Sequence, residues 1–181
     1  GADFENFEKL NNNNVIQGFT TNPTLMKKAG IKSYKNFALE ILKIVKTKRI
    51  SFEVFADSII EMERQANEIA SWGDNVNVKI PITNTKGELT NELISRLSKN
   101  GVKCNVTAIF TNNQIKKILE IDNYDNQIIL SIFAGRIADS GVDPINIMSE
   151  AVELVSKLRN FEILWASPRE LLNIFQANEI G

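Results

Sequence analysis

Histidine is missing altogether from the 181 residues. That excludes Ser-His-Asp and Cys-His catalysis and any histidine metal site, and leaves acid–base work to Asp, Glu, Lys, Tyr or water. Cysteine occurs once, at Cys104, so no internal disulfide is possible and a reducing compartment is compatible. No apolar run reaches the roughly 20 residues that a bilayer span needs, so no membrane partner is expected. Excess charge is missing too: 21 basic against 22 acidic side chains give a net charge of -1, so no global field draws the chain toward nucleic acid. No G-x-G-x-x-G follows the first strand-like run, which argues against a dinucleotide site. The first residue is glycine, not methionine, so a native start upstream stays open and a leader peptide is not excluded.

What is present is ordinary globular material. Hydrophobic residues make up 43% and charged residues 24%, in a length that suits one domain over 1–181. Phe4, Phe7 and Leu10, at three-residue steps, predict a helix over 2–13. Strands are then predicted over 15–21, 50–56, 76–81, 103–110, 127–134 and 162–166. Helices are predicted from the Asn22-Pro23-Thr24 turn and over 33–46, 58–72, 88–99, 112–120 and 143–159. Ser167-Pro168-Arg169-Glu170 reads as a capping box opening a last helix, with Ser167 as N-cap and Pro168 at N1.

Alternating strands and helices indicate a parallel sheet, and both a doubly wound open sheet and a (β/α)8 barrel fit the order. Residues two apart on a strand share a face. One face carries Thr20 and Asn22, Ser51 and Glu53, Asn77 and Lys79, Asn105 and Thr107, Ser131 and Phe133, Trp165 and Ser167. The other is apolar. An open sheet covered on both sides would be apolar on both faces; a barrel has an inward face that turns polar at its C-terminal mouth, where active sites lie. The α/β barrel is therefore the expected fold.

Lys79 sits inside a strand-like apolar run. An edge strand would let it point into water; a desolvated amine could instead attack a carbonyl and form a Schiff base. Glu53, the only carboxylate on the inward face, could hold a water or move a proton beside that amine. Its other reading is a structural ion pair with Lys79, which would favour the charged lysine. Asn22, Asn105 and Thr107 can hydrogen-bond sugar hydroxyls, or serve as ordinary strand-end and turn groups. Arg136, and Ser167 with Arg169 at the expected helix start, suit a phosphate monoester, against the alternative of solvated arginines.

Six motifs then resemble the transaldolase family in order and spacing: GFTTNPT at 18–24, SFEVF at 51–55, VKIP at 78–81, CNVTA at 104–108, FAGRI at 133–137 and WASPR at 165–169. The likeness is to the short transaldolase-like group, which includes the fructose-6-phosphate aldolases. The resemblance implies a metal-free, cofactor-free (β/α)8 barrel. It implies that Lys79 is the Schiff-base lysine and that Glu53 and Thr107 hold the catalytic water. Asn22 and Asn105 would bind the dihydroxyacetone part of the substrate, alongside Ser131 and Phe133, and Arg136, Ser167 and Arg169 would bind phosphate. Glu53, Asn105 and Phe133 are of transaldolase type; the aldolase branch has glutamine and tyrosine at the first and last of these positions. The implied activity is transfer of a dihydroxyacetone unit between sugar phosphates, in the cytoplasm, by a homo-oligomer of the pentose phosphate pathway. The alternatives are a fructose-6-phosphate aldolase and a non-catalytic sugar-phosphate-binding barrel. The likeness also puts the family's first strand, with its acid–base aspartate, just before Gly1, and the eighth strand with the last helices after Gly181. Asp3 is not that aspartate. The expectation is a barrel partial at both ends, of low stability and activity, or a shrunken barrel closed by other means.

Overall fold

Short runs of β-branched and aromatic residues bounded by asparagine, glycine and serine become strands, and the periodic segments between them become helices capped by the polar residues that precede them. The computed structural model describes residues 1–121 and 124–181. These form two units, Gly1–Lys79 and Ile80–Gly181.

The first unit runs α1 (Phe4–Asn11), β1 (Gly18–Thr20), α2 (Pro23–Lys28), α3 (Tyr34–Ile44), β2 (Arg49–Glu53), α4 (Ile59–Ala70) and the greater part of β3 (Val76–Pro81). Asn22, Ser33 and Ser58 each cap the following helix through a side-chain oxygen. β1 is shorter than the 15–21 predicted, because Asn13, Val15 and Ile16 form an exposed turn ahead of it. β1 pairs with β2 and β2 with β3, all in parallel. The register sets Thr20 beside Ser51, Ser51 beside Asn77 and Glu53 beside Lys79. One face is thus polar, as predicted, and the other carries Phe19, Ile50, Phe52, Val76 and Val78. The helices bury Phe37 and Ile41 of α3 and Met62, Ala66 and Ile69 of α4, at the three- and four-residue steps of a core-facing stripe.

The second unit runs α5 (Asn91–Lys99), β4 (Cys104–Ile109), α6 (Asn112–Leu119), β5 (Ile128–Ile132), α7 (Ala134–Asp139), α8 (Ile145–Val155), β6 (Phe161–Trp165) and α9 (Leu172–Ile180). β4 pairs with β5 and β5 with β6, again in parallel. All five residues of β5 are buried, as in a parallel strand covered on both faces. The β4–β5 register shifts between Val106 and Ile109, where Ala108 adopts φ 59°.

Three expectations change here. α7 was not predicted; it starts at Ala134, the last residue of the strand expected over 127–134, and runs through a stretch to which no element was assigned. The capping box at Ser167 does not form: α9 starts at Leu172, with no side-chain cap, and Ser167 is left-handed at φ 58°. Trp165 pairs with Ile132, so it lies on the face opposite Ser131, whose strand neighbour is Leu164. Alternation through Ser167 requires an extended chain, and the left-handed Ser167 breaks it.

Candidate active site

In the first unit the chemistry gathers at the C-terminal ends of β1–β3. Lys79 is only 8% exposed, which removes the reading of an amine pointing into water. Its Nζ donates to Glu53 Oε2 at 2.8 Å and lies 3.5 Å from the carbonyl oxygen of Thr21. The ion pair is therefore formed, with side-chain exposures of 10% and 22% for lysine and glutamate. Asn77, one pair below on the same face, is buried, and its Nδ2 has no partner among the described residues; nor does the hydroxyl of buried Thr21. Buried polar groups are normally satisfied, so each of these atoms is a position where a solvent or ligand atom would be accepted. Asn22 uses its Oδ1 to cap α2, accepting from Leu25 N–H at 2.9 Å, which leaves the amide nitrogen as its donor.

Sequence reasoning missed one residue here. The Tyr34 hydroxyl donates to the backbone carbonyl of Glu53 at 2.9 Å and accepts from the Glu53 N–H at 2.6 Å. Burial, followed by the nearby Glu53 charge, pushes the phenol well above its ordinary range, against the opposing effect of that backbone hydrogen bond.

In the second unit, Ser131 donates to Asn105 Oδ1 at 2.6 Å, and both side chains are buried. Thr107 on the same face is 2% exposed, and its hydroxyl has no partner among the described residues. Phe133 ends the strand run; its ring packs on Phe110 and lies 5.7 Å from the Arg136 guanidinium, which is exposed. The loop after β6 folds back on α7. Gly135 N–H reaches the Ala166 carbonyl at 3.3 Å, and a methyl group on Gly135 would lie 1.6 Å from the Ser167 carbonyl oxygen.

Arg169 is placed otherwise than expected. It lies in the loop before α9, not on a helix start. Its Nη1 donates to the Ser167 carbonyl at 2.8 Å, and its Nε and Nη2 hold both oxygens of Asp139. That bond holds the Asp139 carboxyl below the usual carboxylate range and raises the guanidinium. In the sequence Asp139 reads only as a loop or cap residue, and Gly135 only as part of the FAGRI motif; neither is given a role there. Only the pairing of Gly135 with Arg136 in a G-R step after a strand could have drawn attention to them.

The unit with Lys79 thus holds a buried amine within proton-transfer distance of a carboxylate. The unit with Arg136 holds buried neutral hydroxyl and amide groups and an exposed guanidinium on α7. Among the described residues no group of three or more His, Cys, Asp or Glu side chains could hold a metal ion, and no helix is long and apolar enough to cross a membrane.

Comparison with known proteins supplies the context. The family model described as Transaldolase/Fructose-6-phosphate aldolase matches residues 1–181. A probable transaldolase of Dehalococcoides mccartyi is 36% identical over 182 residues, covering 99% of this chain and 80% of the relative. One from Streptococcus agalactiae is 35% identical, covering 96% of this chain and 76% of the relative. One from a Thermoanaerobacter species is 34% identical, covering 99% and 79%. Among solved structures, a dihydrodipicolinate synthase from Rhodopseudomonas palustris matches with a TM-score of 0.51 at 15% identity, covering 90% of this chain and 57% of that one. At that identity the likeness concerns the fold alone.

Proposed function

This chain belongs to the Transaldolase/Fructose-6-phosphate aldolase family, and on that premise we propose that it transfers a dihydroxyacetone unit between sugar phosphates through a Schiff base on Lys79. The fold that goes with this reading is a single barrel domain of the (β/α)8 type. The observation that carries the reading is the 2.8 Å pair between Lys79 and Glu53 on a buried strand face.

An ammonium cannot attack a carbonyl. Glu53 is the acceptor that would take its proton as a ketose phosphate displaces water from the site. The neutral amine adds to the C2 carbonyl, whose oxygen becomes a hydroxyl. Glu53, now protonated, returns a proton as that hydroxyl leaves as water, and an iminium forms. The iminium draws in the electron pair of the C3–C4 bond as the C4 hydroxyl gives its proton to the Glu53 carboxylate, which the previous step has regenerated. An aldose phosphate departs and a three-carbon enamine stays on Lys79. Attack of the enamine on a second aldose phosphate, followed by hydrolysis, completes the transfer. Among the described residues the buried Thr107 hydroxyl and the buried Asn77 amide nitrogen each have no partner; the first suits the catalytic water, the second a hydroxyl of the bound unit. Arg136 and the Ser167 loop suit the phosphate. Glu53 and Phe133 favour the transferase over the aldolase.

Borohydride reduction in the presence of fructose 6-phosphate should add the mass of the reduced three-carbon or six-carbon adduct to the peptide bearing Lys79, and Lys79→Met should abolish it. An unmodified Lys79 would overturn the proposal. Cleavage of fructose 6-phosphate with no acceptor would move the activity to the aldolase branch. Phosphate-ester binding without an adduct would leave a binding protein.

A further inference from the structure

In a parallel sheet the backbone groups of alternate residues point to opposite neighbours. On β2, the N–H groups of Ile50 and Val54 donate to Asn75 and Lys79 on the β3 side, whereas the Ser51 carbonyl accepts from Thr21 N–H on the β1 side. By the same alternation, the N–H and C=O of Glu53 point toward β1. But β1 ends at Thr20, and the chain turns into α2 at Asn22. Glu53 therefore reaches past the end of its neighbour. Its two backbone groups would be unpaired, and the residue carrying the carboxylate would be the frayed end of the strand.

The Tyr34 hydroxyl fills that gap. It accepts from Glu53 N–H and donates to Glu53 C=O, as a strand partner would through two separate groups. Its ring is fixed by edge-on contacts with Phe55 at 4.6 Å, Trp72 at 5.4 Å and Phe52 at 6.0 Å between centroids. The opposite flank of Glu53 is held by the Lys79 pairing.

We propose that Tyr34 is a positioning residue, whose hydroxyl stands in for the missing strand partner of Glu53 and so keeps the Glu53 carboxylate on the Lys79 amine. The inference rests on the reading of Lys79 and Glu53 given above. It predicts a loss in the chemical step, not in substrate binding.

Tyr34→Phe keeps the ring and removes the hydroxyl. Its kcat should fall about tenfold or more with KM within about twofold, and borohydride trapping at Lys79 should slow by the same factor. In a Glu53→Gln background, the same substitution should change kcat by less than about twofold, since the group it positions is already lost. Equal losses in the two backgrounds mark a general structural role and overturn the inference. So does a Tyr34→Phe enzyme with parental kcat when the parent traps normally at Lys79. A parent that traps nothing overturns the underlying reading and the inference with it. Should Tyr34→Phe not fold, Phe55→Leu decides: it removes the nearest ring and leaves the hydroxyl. Parental kcat in that variant supports the hydroxyl as the positioning group, and a tenfold loss assigns the effect to ring packing and overturns it.

Discussion

Gly135 has no side chain because there is no room for one. The Cβ of an alanine would sit 1.6 Å from the Ser167 carbonyl oxygen, which is backbone and cannot swing away. Either α7 or the loop carrying Ser167 must move. Gly135→Ala should therefore destabilise by about 3 kcal/mol or more, read as a fall in thermal midpoint, the range of severe overpacking and backbone strain. Any folded fraction should show weaker binding of a phosphorylated substrate, because the Ser167 loop no longer packs against α7, the helix that carries Arg136. A parental melting curve would show the contact to be absent. Cys104 is governed by burial in the opposite sense. Desolvation pushes its thiol up to about 12. The folded protein should resist alkylation at pH 8 and take one label per chain once denatured; rapid labelling of the native protein would contradict this. Because the folded pKa is the raised one, the thiol's share of stability is whole below about pH 9 and is lost as pH rises from there toward 12.

At the scale of elements, most of what was legible in the sequence was local. The helices expected from 33, 58 and 112 form, capped by Ser33, Ser58 and Thr111, and the polar face through Thr20, Ser51, Asn77, Glu53 and Lys79 follows from strict alternation. What was not legible depends on distant contacts. Ser-Pro-Arg-Glu satisfies the pattern of a capping box, yet Ser167 is held left-handed where its carbonyl meets Gly135 and Arg169, and no local pattern encodes that. The same left-handed residue breaks the alternation that had put Trp165 on the polar face. Tyr34 stayed unseen because its partner is the backbone of Glu53, nineteen positions away. The capping box at Thr111 does form and can be tested. Thr111 accepts from Gln114 N–H, and Gln114 Oε1 accepts from Thr111 N–H in return. Thr111→Ala should cost about 1 kcal/mol in denaturant unfolding, and Thr111→Ser should cost only a few tenths.

At the scale of the whole molecule, charge decides how a sugar phosphate would be gathered. With 21 basic against 22 acidic side chains the net charge is -1. The surface pairs are of mixed sign, as in Lys35 with Glu68 and Lys116 with Glu150. Such a distribution has no long-range pull on a dianion, so encounter is not steered and recognition falls to the groups that touch the phosphate. Arg136 is the exposed guanidinium beside Phe133; Arg169 already spends its fork on Asp139. The proposed activity should then be nearly indifferent to salt: kcat/KM should change less than about threefold between about 0.05 M and about 0.5 M ionic strength, over which the screening length falls below the size of the site. Arg136→Gln should raise KM for the phosphorylated substrate about tenfold or more at both salts, a loss of contact, not of field. A steep fall of kcat/KM with salt in the parent would show that attraction acts from further away than these residues reach, and would move phosphate recognition off Arg136 to a wider basic surface.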